Sequence, residues 1–364
     1  MIWLLLLACH RHDDEAPTPA PYDPPDLPGP YTVGTAADVI AGPAGVDLPS
    51  QLWYPARDEG AGLATYGALG SGVARADATP DCRAQHPVVL FSHMSGWYGI
   101  QSYTLAERLA SHGYVVVAPD HVGNTHDDMD LTALADLILR RPLDLSESYD
   151  AVVARAGDRD DPLAGCLDRD AGYAVVGHDL GGTTALMLAG ADLDLDALTT
   201  ACEDGDSLPC DLVQTWQTAH PGSEAIRLGD DRVWAAVAIA PTALALQGAG
   251  LDQVTGPVAL IGGSLDSSTS WDEVVAPLGD GLVATERGLG AVLGAGHGSF
   301  TDLCPVSPGW PECGAGYLSV DEAHDATNAI LVPYLEVQRG ESRAEAYLPP
   351  ESESVHWELK KPDE

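Results

Sequence analysis

The chain has 364 residues, 45% apolar and 20% charged, which is enough for one large core; its Gly and Pro show no collagen-like period. Against 55 acidic residues stand only 17 Lys and Arg, for a formal net charge of −38. Such a surface repels phosphate backbones and anionic headgroups, which excludes nucleic acid as a partner and makes most of the charge a solvated acidic shell.

The chain opens on MIWLLLLACHRHDDE. Residues 1–9 read as a lipoprotein-type signal peptide, because Leu6-Leu7-Ala8-Cys9 resembles a bacterial lipobox. The apolar run is too short to span a bilayer. The resemblance implies a lipid on Cys9 as the one membrane attachment of an exported or secreted protein. Residues 10–30 are rich in Pro and Asp and read as an extended tether. Residues 31–340 form the expected folded domain, and 341–364 a C-terminal tail.

Within the domain, SQLWYPA (50–56) has strand character, and PVVLFSH (87–93) is a continuous apolar run of the kind buried on both faces. TLAERLASHG (104–113) carries helical spacing and stops at a glycine. YVVVAPD (114–120) reads as a second buried strand; the long helical stretch after it is expected to break near Pro142. YAVVGHD (173–179) is a third strand, followed by the helix GGTTALMLAGA. Residues 192–231 interrupt the rhythm and read as an insert or small cap. Strands resume at 233–241, 257–263 and 290–296, and a last helix covers about 320–337. Strands alternating with helices predict an α/β fold with a mostly parallel, doubly wound sheet.

Apart from Cys9 there are six cysteines, Cys82, Cys166, Cys202, Cys210, Cys304 and Cys313, an even number that suits an exported protein. Many pairings are open; short loops favour Cys202–Cys210 and Cys304–Cys313, which leaves Cys82–Cys166. No C-x-x-C pair suggests structural zinc, and the acids of DLDLDAL and EDGDS lack the spacing of a calcium loop. The sequence therefore gives no metal and no cofactor.

Chemistry in a parallel sheet gathers at the carboxyl ends of its strands, and Asp179, Asp266 and His297 each follow one. In AVVGHDLGGTTAL, Gly177, Gly181 and Gly182 flank a sharp strand-to-helix turn that lifts residue 179 beside a helix N-terminus. The N–H of Leu180 is then a candidate oxyanion donor. Asp266 in LIGGSLDSS and His297 in LGAGHGSFTD complete the order nucleophile, acid, base.

The motifs GPYTVG, LWYPA, VVLFSHMSGW, LASHGYVVVAPDHVGNT, RPLDL, VVGHDLGG, LIGGSLD and GAGHGSFTDLC together resemble esterases of the platelet-activating-factor acetylhydrolase type. They are also similar to the wider dienelactone hydrolase and polyester-hydrolase group. The resemblance implies an α/β-hydrolase fold, a small-molecule ester-like substrate, a catalytic set of Asp179, Asp266 and His297, and oxyanion donors at Leu180 and Ser95. Asp179 stands where those esterases have Ser, and Met94 where they usually have Gly.

An ionised Asp needs no base to attack. On an ester carbonyl it would form an anhydride and would have to expel a much poorer leaving group. On a saturated carbon with a good leaving group, or on an epoxide, it forms an alkyl ester that His297 and Asp266 can help water to hydrolyse. GHD followed by GG is similar to epoxide hydrolases and haloalkane dehalogenases, which work this way. Three readings follow: an Asp179-nucleophile hydrolase, a silent esterase homologue that binds a ligand at the cell surface, and a hydrolase using Asp179 as general base.

Overall fold

Short strands dominated by Val, Leu, Ile, Ala and Gly can be covered on both faces, and the middle of this molecule is built from them. The computed structural model describes residues 24–362 except 26, 59, 244, 245, 247, 248 and 349–351. The expected signal peptide, Cys9 and most of the expected tether lie outside the described residues. In chain order the elements are β1 (Thr32–Ala41), β2 (Asp47–Ala56), β3 (Arg75–Ala76), β4 (Val88–Ser92), α1 (Tyr103–Ser111), β5 (Val115–Pro119), α2 (Leu134–Gly157), β6 (Tyr173–His178) and α3 (Leu180–Leu188). There follow β7 (Leu193–Asp194), α4 (Leu195–Glu203), α5 (Ser207–Ala219), β8 (Ala225–Ile226), β9 (Val233–Ile239), β10 (Val258–Gly263), α6 (Ala276–Gly281), β11 (Arg287–Val292), α7 (Val320–Gln338) and β12 (Val355–Lys360).

Ten strands form one sheet in the order β12-β11-β10-β9-β6-β4-β5-β2-β1-β3. The central six, β11 to β5, are mutually parallel. Alternate residues feed opposite cores: Val88 and Leu90 join residues of α2 and α3, while Val89 and Phe91 join residues of α1 and α7. This is a mixed α/β protein with a large, mostly parallel sheet between two helical layers.

The edges depart from the sequence reading. β1 pairs antiparallel with β2, which pairs antiparallel with β5. β1 is masked in the sequence because small and polar residues dominate it and one face stays partly open. At the other edge β12 pairs antiparallel with β11, so the segment set apart as a tail contributes a strand. Its VHWELK pattern has the alternation of an edge strand. α2 runs through Pro142 without the expected break, with Ile138, Leu139, Pro142 and Leu145 all buried in its flanking turns.

The insert is also placed differently from a cap. It leaves the end of α3 and returns to the start of β9, and α3 runs back from Asp179, so both attachments are at the far end of the sheet. There α4 and α5, tied by Cys202–Cys210, pack beside α2 and leave the carboxyl ends of the strands uncovered. Cys304 pairs with Cys313 and Cys82 with Cys166, so both short-loop pairings form and so does the one they leave. Three disulfides suit an oxidising, extracytoplasmic environment. Among the described residues, no helix is long and apolar enough to cross a membrane.

Candidate active site

β4 and β6 are neighbours in the sheet, but the chain reaches β5 on one side of β4 before crossing to β6 on the other. The connections that follow the two strands therefore leave toward opposite faces, α1 on one and α3 on the other, where a parallel sheet opens a crevice. Asp179 follows β6 directly and has φ 58° and ψ −120°, a strained backbone for a residue with a Cβ. The turn is tight because glycines allow it: a Cβ on Gly177 would strike the backbone of Gly181, and one on Gly181 the backbone of Ser92. Although Asp179 stands at the N-cap of α3, its side chain makes no capping hydrogen bond. Its carboxylate points away from its own helix.

The two oxygens of that carboxylate face different groups. Oδ2 accepts from the Ser95 N–H at 3.0 Å. Oδ1 lies 3.7 Å from His297 Nε2. On the far side of the ring, His297 Nδ1 is 2.9 Å from Asp266 Oδ2. Asp266 is held in turn by the N–H groups of Ser268 and Thr269 and by the Thr269 hydroxyl. The three residues singled out from sequence thus converge, and Ser95 meets them. The side chains of Asp179 and His297 keep 13% and 12% exposure, so solvent-sized molecules reach the gap between them.

Met94, at the position where the resembled esterases have Gly, has its N–H engaged by Gln101 Oε1 at 3.0 Å. That leaves Ser95 as the donor from the loop after β4. Among the described residues the Leu180 N–H has no partner; it is the first of the free N–H groups at the start of α3, beside Asp179.

Burial alone would raise the Asp266 carboxyl, but the His297 hydrogen bond and charge, with Thr269, outweigh it and hold the group at about 2. For His297 burial would lower the ring. The Asp266 hydrogen bond and the charges of Asp179, Asp266 and Glu312 reverse this, and its pKa rises above the ordinary 6.5. His178, whose ring centroid is 4.8 Å from that of His297, goes the other way: burial and the neighbouring His297 push it well below 6.5. It is a neutral support for the base, within 3.1 Å of the Gln101 amide.

Sequence reasoning did not find the rim. Trp97, two residues beyond Ser95, stacks on His126 at 5.3 Å and meets Trp310 edge-on at 6.3 Å. Trp310 lies inside the Cys304–Cys313 loop, and a Cβ on Gly298 would strike its ring, so it packs against the His297 turn. Met129 adds an exposed thioether near Gly96. Trp97, Trp310 and Met129 thus put aromatic and apolar surface near the cluster, with Glu312 as an acidic neighbour of the His297 turn. The only hint in the sequence was Trp97 in VVLFSHMSGW; what brings Trp310 to it is the fold.

A groove of about 750 Å³, bordered by Arg108, Asp325 and Tyr347, shares no residue with this cluster. No cluster of three or more His, Cys, Asp or Glu residues that could hold a metal is found among the described residues. No protein family matches the chain, and no curated protein matches it.

Proposed function

We propose that the protein is an α/β-hydrolase-fold enzyme in which Asp179 is the covalent nucleophile toward a small, neutral, apolar electrophile. The observation that carries this reading is the division of the Asp179 carboxylate: one oxygen is held by the Ser95 N–H and the other faces His297. The strand order and the sequence Asp179, Asp266, His297 support the fold assignment.

In the first step Oδ1 attacks a saturated carbon. A carbon–oxygen bond forms, the bond to the leaving group breaks, and its electron pair departs as halide, or as an alkoxide that takes a proton when an epoxide opens. The product is an alkyl ester of Asp179. In the second step His297 Nε2 takes a proton from water, and the hydroxide adds to the Asp179 carboxyl carbon. Oδ2 then carries the negative charge, which the Ser95 N–H stabilises and to which the unpaired Leu180 N–H is well placed to contribute. Collapse returns the proton from His297 to the departing alcohol, and the carboxyl left at position 179 releases the proton of the added hydroxyl to solvent, which restores the carboxylate. Asp266 fixes the ring tautomer and stabilises the imidazolium formed on the way.

The gap of 3.7 Å between His297 and Oδ1 leaves this base free for water rather than locked in a tight pair. The Trp97–Trp310 rim and the acidic surroundings favour uncharged, apolar or aromatic substrates over anions. The test is a panel of epoxides and haloalkanes with intact-mass detection. His297→Gln should accumulate an alkyl adduct mapped to Asp179; no adduct and no turnover would end the reaction and leave a binding role. We also propose export with a lipid on Cys9; Cys9→Ser should release the protein from membranes and abolish incorporation of labelled fatty acid.

A further inference from the structure

Behind the Ser95 loop lies a buried cation that the reaction above does not use. Arg141, on α2, has no solvent exposure. Its guanidinium donates to Ser92 Oγ at 3.1 Å, to the His93 carbonyl and to Asn124 Oδ1. Asn124, itself fully buried, passes the constraint on: its Nδ2 donates to Ser95 Oγ at 3.1 Å, and its carbonyl accepts from the Gly96 N–H at 3.1 Å. His121 donates its backbone N–H to His93 Nε2 at 2.9 Å, and Gln101 holds Met94. Each residue from Ser92 to Gly96 is thus tied to a partner outside the segment. The N–H that remains for the cleft is that of Ser95.

Burying a guanidinium costs several kcal/mol, and an apolar side chain of similar volume would often fill the space at no loss of stability. The charge that most favours keeping Arg141 protonated is the carboxylate of Asp179, ahead of Asp144. The cation is therefore coupled both to the loop that carries the donor and to the carboxylate that receives it.

We infer that Arg141 and Asn124 are positioning residues that hold the Ser92–Gly96 segment so that the Ser95 N–H faces the anionic oxygen at position 179. The inference rests on Ser95 being the donor in the proposed reaction, but its decisive readout needs no turnover. In full-length protein labelled with ¹⁵N-serine, the Ser95 amide should be downfield and slow to exchange. Arg141→Lys keeps the charge but loses the fork, and Asn124→Ala removes the link without removing the cation. Either should move the Ser95 signal upfield and speed its exchange by about tenfold or more, with amides of β4 and β6 still protected. In an Asp179→Ser background, p-nitrophenyl acetate hydrolysis should lose about a hundredfold in kcat with KM little changed, the signature of a lost oxyanion donor. If Arg141→Lys does not fold, Asn124→Ala decides. An unmoved Ser95 amide in a folded variant overturns the inference, whereas a missing alkyl adduct on wild-type protein overturns only the reaction.

Discussion

Two histidine–carboxylate pairs lie close together in this molecule and behave in opposite ways. His297 and Asp266 are 2.9 Å apart and face a third group, Asp179, across 3.7 Å. His121 and Asp144 are 2.8 Å apart and face a third group, Ser92, across 2.9 Å. By distance alone the second set, with a Ser hydroxyl, is the better imitation of a serine-hydrolase triad. Yet the side chains of His121 and Asp144 have no exposure, whereas His297 keeps 12%. Burial drives His121 well below its usual pKa and lifts Asp144 to about 7. At the open pair His297 is raised and Asp266 falls to about 2. Geometry makes both sets; access and surrounding charge distinguish them, and under the proposed reaction only the open one reacts.

The sharpest way to break the comparison is to ask which set reacts. Asp179→Asn should abolish alkyl-enzyme formation, a loss of at least about a thousandfold in turnover measured on the electrophile panel. A fluorophosphonate should leave wild-type protein unmodified, because Ser92 is sealed, and should label Asp179→Ser at position 179 by peptide mass mapping. Modification of Ser92 in folded wild-type protein would refute the distinction.

Next in size is the role of the two acids. Asp266→Asn should slow hydrolysis of the alkyl intermediate by about 10²–10⁴, read in single-turnover experiments, because the ring loses its fixed tautomer. Asp144→Asn should appear instead in urea melts, as a loss of about 1–3 kcal/mol from a disturbed buried hydrogen-bond network.

A smaller effect separates the two rings. Water activation needs neutral His297, so intermediate hydrolysis should fall as pH drops through its pKa, and because alkylation removes the Asp179 charge that helps to raise this ring, the acid limb should lie below the NMR titration of His297 in the free protein. His121 should stay neutral by NMR across the pH range in which His297 titrates.

The smallest effect is on stability against pH. Asp266, depressed when folded, stabilises above its unfolded value of 3.8 and loses that contribution as pH falls toward about 2. His297, raised when folded, stabilises fully below 6.5 and loses that contribution as pH rises through its folded pKa. Asp144 opposes the trend, since its stabilisation is complete below 3.8 and lost as pH rises toward about 7. Asp144→Asn should therefore flatten the acid-to-neutral part of a melting-temperature profile, while Asp266→Asn should remove its low-pH slope.

These particulars also show what a sequence can disclose. The six parallel strands were readable because each carries a short, mostly apolar run, and Asp179, Asp266 and His297 because each follows such a run. Ser95 was named through resemblance, and only the coordinates show that Met94 is engaged by Gln101. β1 escaped because its alternation is weak, and β12 because an acidic segment looks like solvent-exposed chain until β11 offers it an edge. The insert looked like a cap because order along the chain says nothing of which end of the sheet it occupies. Arg141 and Asn124 could not be read as a unit: the hydrogen bonds that join them to residues 92–96 span 29 to 49 positions.

The loop closed by Cys304 and Cys313 has one further consequence. It spans 9 positions, is pinned at both ends, and presents Trp310 beside the reacting groups while contributing no strand to the sheet. Such a segment behaves as a cassette. Its interior can be rewritten, by selection or by an engineer, to admit bulkier or differently shaped molecules, while Asp179, Asp266 and His297 stay where the strands put them.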